Sequence, residues 1–245
     1  MKDLFIITSA IMLPDSNPLE RAIQTAHTID SIKSRIPNVE IWLCDSSCEP
    51  LSSVVLDIIK NESVKIISFH NDVKIHEIKE FARKYNGGRK DGYIIDIEKG
   101  SLGILKNLTE SYVMLELLKN DLSDFNRVFK ISGRYALSGK FDISKWNQPG
   151  KAILRKSESN YLPIELVETD GNHWCMLWGF CPSIKDEIVK VFETINSDIS
   201  LYSQTNRITD IEHGLYKNLD KEYIHELDTI GIMGRVNNVN SIIHT

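Results

Sequence analysis

What the chain lacks narrows its role before any motif is read. It has no surplus of positive charge: 29 Lys and Arg stand against 34 Asp and Glu, a formal net charge of −5. Proteins that grip nucleic acid broadly display a basic face, so that partner is argued against, although a local basic site is still allowed. No stretch approaches the ~20 consecutive apolar residues that span a bilayer, and the first residues do not read as a charged and then apolar leader. The expectation is a soluble, cytoplasmic protein with no transmembrane segment. Cysteine is sparse, with Cys44 and Cys48 spaced CxxxC and Cys175 and Cys181 spaced CxxxxxC. These four either assemble one zinc site from both pairs or stay as buried thiols in a reducing compartment, the simpler of the two. Repeats, low-complexity segments and long polar linkers are also missing. A single domain of 245 residues is therefore expected, large enough to bury a core.

What is present is an alternation of strand and helix patterns. Leu4 to Thr8 is a continuous apolar run, as in a parallel strand covered on both faces. From Leu19 to Ile36 the apolar residues recur at helical spacing, and Pro37 ends the pattern. Val39 to Cys44 predicts a second strand that delivers Asp45, Ser46 and Ser47 to its end. A helix over Pro50 to Lys60 follows, with Ser46 or Ser47 as its cap, and then a strand over Val64 to Phe69. Strand, helix, strand, helix, strand is the order of a nucleotide-binding βαβαβ half. Helical spacing returns over Ile75 to Tyr85, and Asn86-Gly87-Gly88 marks a break read as a mobile loop. Gly92 to Ile97 reads as a short extended piece. Leu102 to Leu118 is helical again, preceded by Gly100, Ser101 and Gly103.

Arg127 to Asp142 is the stretch around which the rest is arranged. Val128, Phe129 and Ile131 suit a buried strand that breaks at Ser132-Gly133. Lys130, Arg134 and the hydroxyls of Ser132 and Tyr135 then fall where open α/β sheets place ligands, and cationic groups of this kind suit a phosphate. The alternative is an ordinary strand and turn whose arginine is solvated or paired to a carboxylate. Beyond Asp142 the pattern changes. Trp146, Pro149 and Gly150 mark irregular structure, Ala152 to Arg155 predicts a strand, Ser157 to Asn160 a loop and His173 to Phe180 a further strand. Ile184 to Ile195 is an amphipathic helix, and Tyr216 to Leu227 predicts a second. The nucleotide-binding half is thus expected over about 1–142 and a second half over about 143–245.

The order LFIITSA, RAIQTAHTIDSIKSRIPNVEIWLCDSS, GSLGILKN and VFKISGRY resembles glycosyltransferases of the GT-A type, in particular bacterial and phage-like members with an SGRY sequence. The resemblance covers roughly the first 140 residues. It implies a GT-A-like, Rossmann-like α/β fold with a central mixed sheet flanked by helices. It also implies transfer of a sugar from a nucleotide-diphospho-sugar such as a UDP-sugar to a glycan or other hydroxyl acceptor, as in polysaccharide biosynthesis. Only under the resemblance does the second half become the acceptor-side half. A non-catalytic carbohydrate- or nucleotide-binding domain of the same fold is the alternative. Under the resemblance Thr8, Ser9 and Ala10 contact the nucleoside, and Asp45, helped by Ser46 and Ser47, binds its uracil or ribose. Lys106 and Asn107 resemble the basic-Asn pair that opens the helix before the diphosphate strand. Each has a plainer reading: Asp45 caps a helix, Lys106 is one more solvated lysine, and Arg21 either reaches the site or lies on an exposed helix face.

One departure from the resemblance bears on the chemistry. GT-A enzymes usually end this strand with Asp-x-Asp, whose carboxylate holds a divalent cation between the donor phosphates; here Ser132-Gly133-Arg134 stand instead. Dependence on Mn or Mg is therefore in doubt, no metal ligand is assigned, and Lys130 and Arg134 are expected to neutralise the leaving diphosphate directly. Asp96-Ile97-Glu98 has an acid-x-acid spacing but precedes the wrong helix. Inverting transfer also needs a carboxylate to take the acceptor's proton. Glu212, with His213 beside it as hydrogen-bonding partner in a polar turn before Gly214, is the first candidate, and Asp170 with His173 the second. Otherwise Glu212 is a helix-start carboxylate stabilised by the helix dipole, and His213 a metal ligand if a cation is used. Trp174 or Trp178 is a candidate to stack on a sugar ring, with core packing the expected fate of at least one of them.

Overall fold

A computed structural model of the chain describes residues 2–13, 16–47, 49–59, 63–85, 97–160, 162–202, 204–205, 207, 209–235 and 242–244. Cys48, the Asn86-Gly87-Gly88 break, the piece from Gly92 and the first acid of Asp96-Ile97-Glu98 lie outside these residues. The first half reads β1 Lys2–Ser9, α1 Pro18–Arg35, β2 Val39–Asp45, α2 Ser53–Ile59, β3 Val64–Ser68, α3 Val73–Tyr85, α4 Ile97–Leu118, β4 Phe125–Ser132 and β5 Tyr135–Leu137. The second half adds β6 Ala152–Arg155, β7 Glu158–Ser159, α5 Ile164–Val167, β8 Gly171–Asn172, β9 Leu177–Phe180, α6 Lys185–Tyr202, α7 Ile211–Asn218, β10 Ile224–Leu227, β11 Ile232–Arg235 and β12 Ile242–His244. No helix among the described residues is long and apolar enough to cross a membrane.

Seven strands form one sheet in the order β10-β6-β9-β4-β1-β2-β3. The four strands β4, β1, β2 and β3 are mutually parallel, and β9 runs antiparallel between β4 and β6. Strands of both halves thus share one mixed sheet. Side chains alternate between its faces, as the pleat requires. Leu4, Ile6 and Val128 pack with α4 and α6, whereas Phe5, Ile7, Phe129 and Ile131 pack with α1. Phe5 stacks on Phe129 with ring centroids 4.4 Å apart. At the foot of the sheet Arg127 grips both carboxylate oxygens of Asp3 at 2.9 and 2.7 Å, fixing the register of β4 on β1. A smaller sheet, β12-β11-β5, covers the α1 side.

Several local expectations are corrected. The predicted helix over Tyr216 to Leu227 is instead α7, which begins at Ile211, followed by a 3₁₀ turn at Lys221–Tyr223 and strand β10. Asp210 starts α7 by accepting from the His213 amide at 2.9 Å, and Asp220 caps the 3₁₀ turn. Gly214 is therefore no turn residue. It lies inside α7, where a Cβ would come within 2.5 Å of Ile195 Cγ1 on α6, so its missing side chain lets the two helices touch. Likewise α4 runs through Gly100 and Gly103 rather than starting after them. Strand β9 takes only the last four residues of the predicted His173 to Phe180 strand, and the loop around Ser157 contains the short β7. Ser46 and Ser47 do not cap α2; Ser52 Oγ accepts from the Val55 amide instead.

Candidate active site

At β1 the sheet order changes direction, with β4 on one side and β2 on the other, and open α/β sheets bind ligands at such a switch point beyond the carboxyl ends of the strands. A cleft of about 200 Å³ lies there. The ends of β1 and β2 supply Thr8, Ser9, Ala10 and Ser46, α1 supplies Arg21, and the end of β4 supplies Ser132, Gly133 and Arg134. One face of α4, with Lys106, Thr109, Glu110 and Val113 at helical spacing, closes the opposite wall.

The turn after β4 is held closely. The Gly133 amide donates to the Thr8 carbonyl at 2.9 Å, and Thr25 Oγ1 on α1 donates to the Gly133 carbonyl at 3.3 Å. A Cβ on Gly133 would stand 3.1 Å from Thr25 Oγ1 and 3.2 Å from Ser9 Oγ. Glycine is what lets the chain pass and turn Arg134 into the cleft. Arg21 donates to the Ala10 carbonyl at 3.1 Å. Burial and the Arg134 guanidinium push its pKa below the usual arginine value, which places two like charges against one space. Ser46 anchors the β1 end, its hydroxyl donating to the Ser9 carbonyl at 3.1 Å.

Other predicted residues serve the walls or lie elsewhere. Asp45 is fully buried and takes up the Ile11 amide at 3.1 Å and the Ser47 hydroxyl at 2.8 Å, while Ser47 Oγ accepts from the Met12 amide at 2.8 Å. Together they brace the loop after β1 from behind. Burial raises the Asp45 pKa against these hydrogen bonds. Tyr135 is buried in the α1-side core, because β5 turns into the smaller sheet. Asn107 does not line the cleft. Lys130 shares the face of Val128 and Ser132 by strand parity, so it points toward α4 rather than out of the strand end. It is 3 % exposed, ion-paired with Glu110 and donating to the Cys175 carbonyl at 3.0 Å.

Behind this pair the second half contributes Glu212 on α7, whose carboxylate accepts from the Cys175 amide at 3.4 Å. Burial and the neighbouring Asp210 raise the Glu212 pKa, with Lys106 pulling the other way. Asp210 also bonds His213 Nδ1 at 2.7 Å; burial works against the imidazolium, but this bond together with the charges of Asp210 and Glu212 raises the His213 pKa. Lys106 is an exposed residue of α4, as its plainer reading expected; desolvation by the cleft wall works against its charge, but Glu110 and Glu212 together raise its pKa above the usual lysine value. His173, Trp174 and Asp170 form a separate group. His173 Nδ1 bonds the Arg155 carbonyl at 3.0 Å and burial lowers its pKa; the Arg155 guanidinium sits 4.5 Å from the half-buried Trp174 ring; exposed Asp170 bonds Tyr216. Trp178 is a core residue, stacked on Phe180 and Phe192.

Among the described lining residues four cations, Arg21, Lys79, Lys106 and Arg134, face one carboxylate, Glu110. In a chain of net charge −5 that local reversal gives the cleft a cationic lining of the kind that suits an anion. The described donors do not fit a divalent cation: Glu110 is taken by Lys130, and no three His, Cys, Asp or Glu side chains among the described residues converge on one point. Cys44 is a buried free thiol whose pKa burial pushes up to about 12, and Cys175 and Cys181 are also free. Sequence reasoning missed Lys79, Thr25 and Glu110. Only Glu110 left a signal, four residues after Lys106 in KNLTE and so on the same helix face.

The mixed sheet, its helices on both faces and the cleft at the switch point define a GT-A-type α/β fold. Among solved structures the chain is similar to the galactosyltransferase LgtC in complex with donor and acceptor sugar analogues, with a TM-score of 0.53, 10 % identity, and coverage of 91 % of this chain and 72 % of that one. Mouse xyloside xylosyltransferase 1 superposes with a TM-score of 0.47 at 9 % identity, over 92 % of this chain and 84 % of that one. The 4-diphosphocytidyl-2C-methyl-D-erythritol synthase of Anaerococcus prevotii gives 0.45 at 13 % identity, over 92 % and 86 %. At 10 % identity the likeness to LgtC is one of fold. No family model matches the chain, and no curated protein matches it in sequence.

Proposed function

We propose that the protein transfers a sugar from a nucleotide-diphospho-sugar to a hydroxyl of a glycan or another acceptor. The observation that carries this reading is the cationic cleft at the switch point of a GT-A-type sheet. Arg134 and Lys106 face the diphosphate, and Arg21 lies beside them. Fixed positive charge there stabilises the negative charge that develops on the leaving nucleoside diphosphate, in a setting that needs no reorganisation at the moment of reaction. Lys130 adds its field from behind Glu110 rather than touching the phosphates. Thr8, Ser9, Ala10 and Ser46 hold the nucleoside. Glu212 takes the acceptor proton, and the Trp174 face, with His173 and Asp170 near it, receives the acceptor sugar.

Thermal melting with nucleoside diphosphates and nucleotide sugars, each with EDTA or with Mn²⁺, tests the reading. Ligands that bind the native state raise Tm by mass action. A rise with a nucleoside diphosphate in EDTA is expected, together with measurable hydrolysis or transfer of a UDP- or GDP-sugar. Arg134→Ala should keep its fold and lose most of that turnover. A variant that turns over at the wild-type rate removes the clamp, and binding without any turnover leaves the non-catalytic nucleotide-binding alternative.

A further inference from the structure

Glu110 lines the cation-rich cleft, yet none of the roles above falls to it. It stands one helical turn after Lys106 on α4, so both reach the same wall. Its carboxylate pairs with Lys130 and accepts from Thr8 Oγ1 at 3.5 Å, which ties α4 to the ends of β4 and β1. Burial works against its charge, but Lys130, Lys106 and Arg134 together hold it ionised. Lys130 continues the connection to the Cys175 carbonyl, and the Cys175 amide to Glu212.

A cleft shaped for a diphosphate is unfavourable while empty, because its cations repel one another, as Arg21 and Arg134 do. The geometry points to Glu110 as the built-in counter-anion of the empty cleft. It holds Lys106 in place for the incoming diphosphate, keeps the buried Lys130 paired behind it and, by neutralising part of their charge, limits how tightly the nucleoside diphosphate product is retained. This rests on the diphosphate reading given above. It makes Glu110 a positioning residue, acting through its cationic neighbours.

The test is titration calorimetry of UDP, GDP, uridine and guanosine against wild type and Glu110→Gln, all in EDTA. Loss of the negative charge should tighten the better-bound diphosphate about tenfold, steepen its salt dependence and leave the nucleosides unchanged. A purely structural role would not produce tighter binding. Equal or weaker diphosphate binding in the variant overturns the counter-anion. Wild type that binds no nucleoside diphosphate overturns the diphosphate reading itself, so the two failures are distinct. If Glu110→Gln gives no cooperative melt, because Lys130 is left buried and unpaired, the double change Glu110→Gln/Lys130→Gln removes both charges. Diphosphate affinity within about threefold of wild type is then expected from cancellation, and any larger loss overturns the inference.

Discussion

At the scale of single residues, the site depends on which side chains face the cleft and which hold it from behind. Gly133 lines the cleft and is also closely packed. A methyl group there meets two small polar side chains at 3.1 and 3.2 Å, so Ser9 and Thr25 must each give by a few tenths of an ångström. Gly133→Ala should cost about 1 kcal/mol in chemical denaturation and weaken diphosphate binding by moving Arg134. Glu212 offers a pH readout. Its pKa is raised by burial and by Asp210, and a base works only as the carboxylate, so turnover should fall as pH drops through that raised value. Glu212→Gln should abolish turnover while leaving nucleoside diphosphate affinity intact; an unchanged acidic limb would remove Glu212 from the reaction. The sequence exposed Arg134 readily, since it follows a strand and a Ser-Gly break. It hid the inward aim of Lys130, although the alternation Val128, Phe129, Lys130, Ile131 carries that parity once the strand is followed to Ser132.

Among elements, the strands and long helices of the first half were legible because apolar runs and helical spacing dominate there. The short pieces of the second half were not. Tyr216 to Leu227 carries enough apolar residues to imitate one helix, and only the pairing of β10 beside β6 fixes its last four residues, Ile224 to Leu227, as a strand. Gly214 misled for the same reason: glycine reads as a break until its neighbour is known. The contact of α7 with α6 through Gly214 is itself testable. Gly214→Ala would place a methyl group 2.5 Å from Ile195 Cγ1 and should lower stability by about 2 kcal/mol. Adding Ile195→Ala should recover less than the clash costs, because it opens space in a fully buried position. A Gly214→Ala melt indistinguishable from wild type would show that the helices separate freely.

For the whole molecule, the fold class was visible in the order of elements, whereas the way the halves join was not. The expected boundary near residue 142 is crossed by the main sheet, since β9 and β6 extend the edge that begins with β4. A fragment of residues 1–142 should therefore collect in the insoluble fraction or melt without a cooperative transition; a sharp melt from that fragment would make the first half self-sufficient.

The placement of β9 also has a consequence for synthesis on the ribosome. Strand β4 is complete at Ser132, but the neighbour that covers its second edge is not finished until Phe180. For that interval the nascent chain carries a naked, apolar strand with hydrogen-bonding groups unspent, the state in which chains most readily join the wrong partner. Slow translation between these two points would lengthen the exposure, and the yield of native protein would then depend on chaperones that shield the strand until its late neighbour arrives.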